Sequence, residues 1–205
     1  GATGCGAFVD QGRVRGAVVV TPLGRGVVLA NVVVDATGSA DLAAAAGAKC
    51  VYTDQSEFAM QGTGLPGRQL GATYTNTDYT YTDETDLVDV WHLLVYAKNK
   101  FSGAFDLGQL VDTRERRSIV GDYTLRFRDQ VTGRTFPDSI ALCAAGYDTH
   151  GYIVDPSLLV RHPSGGLKSY VPYRCLLPQG LDSILVTGIG LSAHRDAQPV
   201  VRMQP

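Results

Sequence analysis

The feature that most constrains the fold is an apolar run that leads directly into a glycine turn and an alanine-rich segment. Residues 31–34 read Asn-Val-Val-Val without polar alternation, as expected of a strand that is covered on both faces. A turn at residues 35–41 and a run of strong helix formers at 42–46 follow, and Gly47 is placed to end the helix. This strand–turn–helix order predicts an α/β fold.

The rest of the chain predicts α/β flanks around an inserted α+β region. Short β-branched runs bounded by turn residues predict strands at residues 7–9, 14–21, 27–35, 123–127 and 183–186. In the middle of the chain, alternating Tyr and Thr at 73–82 predict a further strand. Apolar residues at helical spacing predict a helix over 83–100.

Charge and cysteine content exclude several classes of protein. The net charge is −2, from 18 basic and 20 acidic residues, so no positive field exists to attract nucleic acid or an anionic membrane. No apolar run approaches the roughly 20 residues of a membrane-spanning helix. The four cysteines form no C-x-x-C pair, which argues against a zinc site and a disulfide framework, and we expect mostly buried thiols.

Two glycine turns are candidate binding elements. In the first, Thr37-Gly38 lies between a strand and a helix, where backbone can approach a ligand; a plain turn without a ligand is the alternative. In the second, residues 188–193 match the dinucleotide pattern G-x-G-x-x-G/A after a strand. The pattern also needs a helix and an acidic residue about 20 positions later. Because Pro199 interrupts that region, we expect a loop near a ligand, not the main pyrophosphate-binding turn.

Arginines and histidines are the candidate catalytic groups. Arg114 and Arg117 belong to a cluster of three arginines that suits a carboxylate or phosphate, although internal pairing in a solvated segment is the alternative. His150 and His194 lie in turn-like surroundings that suit a general acid or base. No nucleophile elbow, phosphate-binding loop or metal-ligand cluster occurs in the sequence.

Four motifs together resemble one family. They are VVVDATGSADLAAAAGA at 32–48, DTRERRSIVGDY at 112–123, VPYRCLLP at 171–178 and ILVTGIGLSAHRDAQPVVRMQP at 184–205. In order and spacing, over nearly the whole chain, they are similar to bacterial FAD-dependent oxidoreductases often found beside carbohydrate-degrading genes.

The resemblance implies a partial FAD/NAD(P)-binding Rossmann-like domain, formed by residues 1–49 and 171–205, around a substrate domain at 50–170. It implies FAD as cofactor and hydride transfer from a small-molecule substrate, expected to be carbohydrate-derived, to the flavin. The implied cofactor contacts are Ala36, Thr37, Gly38, Gly188, Gly190, Ser192 and Arg202, with Arg202 facing the flavin pyrimidine edge. The implied orienting and proton-handling residues are His150, His194, Arg114 and Arg117.

The sequence departs from the family pattern in three places. The N-terminal G-x-G-x-x-G unit and the helix expected after Pro205 are missing, so we expect a fragment that alone binds FAD weakly and is inactive. Ile189 stands where many members carry arginine. The missing initial methionine leaves an exported form open beside the expected cytoplasmic one. The alternatives are a carbohydrate-binding module that uses Tyr79 and Tyr81, and a non-redox hydrolase or lyase that uses His150.

Overall fold

The computed structural model describes residues 1–52, 86–100, 117–147, 155, 156, 158 and 165–202. The chain divides into two compact units. The first comprises Gly1–Tyr52, Arg117–Asp148 and Asp155–Pro205, and the second comprises Thr53–Arg116 and Thr149–Val154. These units have different bounds from the functional division at residues 49 and 170, which stays a prediction.

Helices and strands are mixed along the described chain, consistent with the predicted α/β class. The strands are β1 (Thr3–Asp10), β2 (Arg13–Thr21), β3 (Gly24–Leu29), β4 (Val33–Asp35), β5 (Cys50–Tyr52), β6 (Arg117–Ile119), β7 (Ser139–Gly146), β8 (Gly166–Pro172) and β9 (Ile184–Val186). The helices are α1 (Asp41–Ala45), α2 (Leu87–Lys100), α3 (Phe127–Val131) and α4 (Gln198–Val201), with short 3-10 helices at Tyr173–Cys175 and Gly188–Gly190.

The described part of the first unit holds four small sheets. Strands β1, β2 and β3 form an antiparallel meander, and β5–β6 and β7–β8 are antiparallel pairs. Strands β4 and β9 are distant in sequence but pair in parallel, with Asp35 opposite Val186. Because parallel partners point the same way, the turns that follow β4 and β9 leave from the same edge.

Two apolar clusters support these sheets. One packs Val14 of β2, Ala43 of α1 and Ile119 of β6 against Ile184 and Val186 of β9. The other, which includes Leu125, Val171, Leu191, Val200 and Val201, lies around β7, β8 and α4. Buried side chains of the two clusters therefore hold strand β9 and the turn that follows it in place.

Several predicted elements are confirmed, one is divided and one is wrong. The strand predicted at 27–35 is two strands, because β3 ends at Leu29 and β4 begins at Val33. In β4, Val33 is buried but Val34 is 56% exposed, so this strand is not covered on both faces as expected. Helix α1 ends as expected, since Gly47 takes a φ of 93° and its N–H bonds to the Ala44 carbonyl at 3.0 Å. Helix α2 lies within the predicted 83–100. Residues 123–127 are not a strand: Leu125 makes an isolated bridge with Ala193, and α3 begins because the Arg126 N–H donates to Asp129 Oδ2 at 3.0 Å. The predicted strand at 73–82 lies outside the described residues.

The cysteines are more varied than expected. All four are free thiols, but Cys143 and Cys175 are buried whereas Cys5 is exposed. Burial raises the pKa of Cys175 to about 12, so this thiol stays protonated at neutral pH. Among the described helices, none is long and apolar enough to cross a membrane.

A buried carboxylate joins β4 to α1. Asp35 is fully buried. Its Oδ1 accepts hydrogen bonds from the Thr37 N–H at 3.0 Å and the Thr37 hydroxyl at 2.7 Å, and its Oδ2 accepts from the Ala43 N–H at 2.8 Å. The N-cap residue of α1 is Ala40, which has no side-chain oxygen to offer. Asp35 therefore satisfies an N-terminal N–H of α1 that would otherwise lack a partner.

We predict that Asp35→Asn lowers the free energy of unfolding by about 3 kcal/mol, because the new NH2 group must face a backbone N–H or leave it without an acceptor. Urea unfolding followed by circular dichroism measures the change. Asp10→Asn is the matched control, since Asp10 is exposed and lies 3.8 Å from Arg15. A loss for Asp35→Asn no larger than that of the control would contradict this account.

Candidate functional site

The candidate site is the edge of the sheet where β4 and β9 end. Ligands of open α/β sheets bind outside the carboxyl ends of the strands. Here the Thr187 N–H donates to the Asp35 carbonyl at 3.0 Å, so the two strands stay paired up to their last residues. Residues 36–40 then form the first turn and residues 187–190 form the second.

The two turns touch at a glycine. A Cβ on Gly190 would lie 2.9 Å from the Ala40 backbone nitrogen and 3.0 Å from Val186 Cγ1, closer than side chains tolerate. The second turn is also held by Gln198, whose Nε2 donates to the Ile189 carbonyl at 2.9 Å. Only glycine at position 190 allows this close approach without displacing backbone.

Each turn contains a glycine in the left-handed region of backbone conformation. Gly38 and Gly188 have φ angles of 92° and 69°, which favour glycine. Among the described residues, a Cβ on Gly38 would meet no atom within 4 Å. Ala36 and Thr37 are exposed. The fold thus brings five of the residues proposed from the sequence to one edge: Ala36, Thr37, Gly38, Gly188 and Gly190.

The Thr37 hydroxyl is used within its own turn. It donates to Asp35 at 2.7 Å and accepts from the Asp41 N–H at 2.8 Å. Its single proton is therefore engaged, and the side chain orders the turn between β4 and α1.

Arg117 reaches the same turn from β6. Its Nε donates to the Ser39 carbonyl at 2.5 Å, and its Nη2 contacts the Asp41 carboxylate. Burial of the guanidinium opposes its charge, but the Tyr52 hydroxyl and the Asp41 carboxylate outweigh that effect, so the pKa of Arg117 lies above its ordinary value. The sequence proposed Arg117 for substrate chemistry, and that role stays a prediction.

Ser192 and Arg202 have surroundings that the sequence did not reveal. Ser192 is buried, and its Oγ lies 2.9 Å from the Thr124 Oγ1. Its N–H donates to the Cys175 carbonyl at 2.8 Å, which ties the segment after β9 to the neighbouring 3-10 helix. Arg202 directly follows α4 and is half-buried. Their proposed contacts with a cofactor stay predictions.

His194 has a defined hydrogen bond on one ring nitrogen. The Asp196 N–H donates to Nδ1 at 3.3 Å, and one carboxylate oxygen of Asp196 lies 3.9 Å from the same atom. A neutral ring that accepts at Nδ1 carries its proton on Nε2. The imidazole is 34% exposed, so a ligand can reach it. His150 and Arg114 lie outside the described residues.

Several residues of the site were missed from the sequence: Asp35, Asp41, Asp196 and Gln198. For Asp35 a signal existed, because a lone acidic residue at the end of an apolar run must find hydrogen-bond donors once buried. Asp196 and Gln198 have no local signal, since their partners come from the folded turns. Within the described ranges, no group of three or more potential ligands could hold a metal ion.

Comparison with known proteins identifies the family of the chain. The chain matches the family model described as FAD dependent oxidoreductase over residues 2–93 and 73–205. No curated protein matches the chain, and no solved structure does. The family match covers almost every residue, and the cofactor of the family is FAD. The chain therefore belongs to the FAD-dependent oxidoreductases.

Proposed function

We propose that this oxidoreductase transfers a hydride from a small-molecule substrate, of carbohydrate origin, to FAD. The observation that supports the proposal is the pair of glycine turns in contact at the ends of β4 and β9. Neither nucleic acid nor membrane is proposed as a partner, because the net charge is −2.

The turns fit a dinucleotide cofactor. Among the described residues, a Cβ at Gly38 would meet no atom within 4 Å, so this glycine leaves room for a ligand close to the backbone. The residues proposed to hold FAD are Ala36, Thr37, Gly38, Gly188, Gly190, Ser192 and Arg202. When bound, FAD supplies an acceptor for the hydride.

The side chains would orient the substrate and handle its proton. In the neutral tautomer described above, His194 offers Nε2–H as a donor to a substrate oxygen. From the sequence, His150 is a further candidate for handling the proton, and Arg114 and Arg117 are candidates for binding an acidic or polar substrate group.

We predict that the protein, at the full length that its gene encodes, purifies with the visible absorbance of flavin or acquires it on titration with FAD. Absorbance between 350 and 500 nm (roughly, the visible bands of a flavin) and quenching of FAD fluorescence give the dissociation constant. A protein that binds no FAD, yet retains a sugar through Tyr79 and Tyr81, would favour the carbohydrate-binding module instead.

We predict that Gly190→Ala weakens FAD binding at least tenfold (about 1.4 kcal/mol), because its Cβ pushes the two turns apart. Titration of the variant with FAD measures the effect. Gly26→Ala is the matched control, since Gly26 lies in β3 and a Cβ there would meet nothing within 4 Å. Equal affinities for the two variants would show that the contact between the turns does not matter for binding.

A further inference from the structure

We propose that Arg117 is a positioning residue that holds the first cofactor turn in shape, and that it acts on FAD binding through residues 39–41. This inference rests on the proposed binding of FAD at the two turns. It gives Arg117 a role that differs from contact with the substrate.

Ala40 is the residue of the first turn whose backbone is strained and must be restrained. Its φ of 54° lies in the left-handed region, which costs a residue with a Cβ about 1 kcal/mol. Ala40 is also buried and lies directly against Gly190 of the second turn. A strained backbone persists only where the surroundings determine it, so this position requires restraints on both sides.

Arg117 supplies those two restraints. Its Nε binds the Ser39 carbonyl, immediately before Ala40, and its Nη2 binds the Asp41 side chain, immediately after it. A guanidinium presents its N–H groups in a rigid fork, so one side chain can fix two acceptors at a set spacing. The fork therefore spans the strained residue.

Arg117 is itself held in place by its strand, β6, and by a residue of the neighbouring strand. In β6, Ile119 is buried in the cluster that also contains Ala40 and Ala43. In the β5–β6 pair, Arg117 is the cross-strand partner of Tyr52, whose ring centroid lies 5.8 Å from the guanidinium carbon. The Arg117 side chain is only 19% exposed. Packing within the protein therefore fixes the position of the Arg117 side chain.

The test compares Arg117→Lys with Arg174→Lys. Lysine keeps the charge but cannot bind two acceptors as a fork. Arg174 is the matched control because it forms a similar fork, with its Nε 2.9 Å and its Nη2 3.1 Å from the two Asp138 oxygens. Asp41→Asn weakens the same contact from the other partner, whose side chain is 58% exposed, and serves if Arg117→Lys folds poorly.

Two measurements separate the inference from the proposed function. Amide hydrogen exchange of the protein without FAD reports the turn directly. We expect exchange at residues 37–43 to accelerate at least about tenfold in Arg117→Lys, with β9 unchanged. Titration with FAD should give a dissociation constant about tenfold higher, and Arg174→Lys should change neither value by more than about twofold.

Each outcome decides the matter. Unchanged exchange at the turn in both Arg117→Lys and Asp41→Asn would overturn the positioning role. Faster exchange with an unchanged FAD dissociation constant would overturn the link to the cofactor. If the unaltered protein bound no FAD at all, the proposed function would fail, while the exchange data would still judge the effect of Arg117 on the turn.

Discussion

The first compact unit depends on the hydrogen bonds that satisfy the buried carboxylate of Asp35. Asp35 ends β4 inside the protein, where a carboxylate without donors would be very costly. Three donors from the next eight residues satisfy it, and in doing so they bend the chain from strand to helix. The hydrogen bonds to Asp35 therefore order the turn between β4 and α1 without any ligand.

A second constraint comes from the pairing of β4 with β9, which brings together segments from opposite ends of the chain. The contact between Ala40 and Gly190 is so close that a Cβ at position 190 would lie 2.9 Å from the Ala40 nitrogen, so the two turns pack directly against each other. Arg117 adds a restraint from a third segment. Strand pairing, steric contact and a charged fork thus act on the same few backbone atoms, which suits an edge that must be preorganised to bind a large cofactor.

The sequence allowed the local parts of this arrangement to be predicted but not its long-range contacts. The strand at β4, the helix α1 and its stop at Gly47 follow from apolar runs, alanine content and glycine, which act over a few residues. The turn residues Thr37, Gly38, Gly188 and Gly190 followed from motifs and from family resemblance. The bond from Arg117 to Ser39 joins residues far apart in sequence, and no local pattern encodes it. The wrong strand at 123–127 has a similar origin, because the hydrogen bond that the Arg126 N–H donates to the Asp129 carboxylate begins a helix there and overrides the alternating pattern.

The pairing of β5 with β6 has a consequence for how the length of the chain can change in evolution. Tyr52 and Arg117 face each other across the two strands, and opposed antiparallel residues lie about 5 Å apart. The pairing within the first unit therefore already brings together the two ends of the segment 53–116. Doubling the length of a flexible loop costs only about 0.6 kcal/mol in closure entropy. We therefore expect changes in the length of the intervening sequence to have little effect on the stability of the unit that carries the two glycine turns.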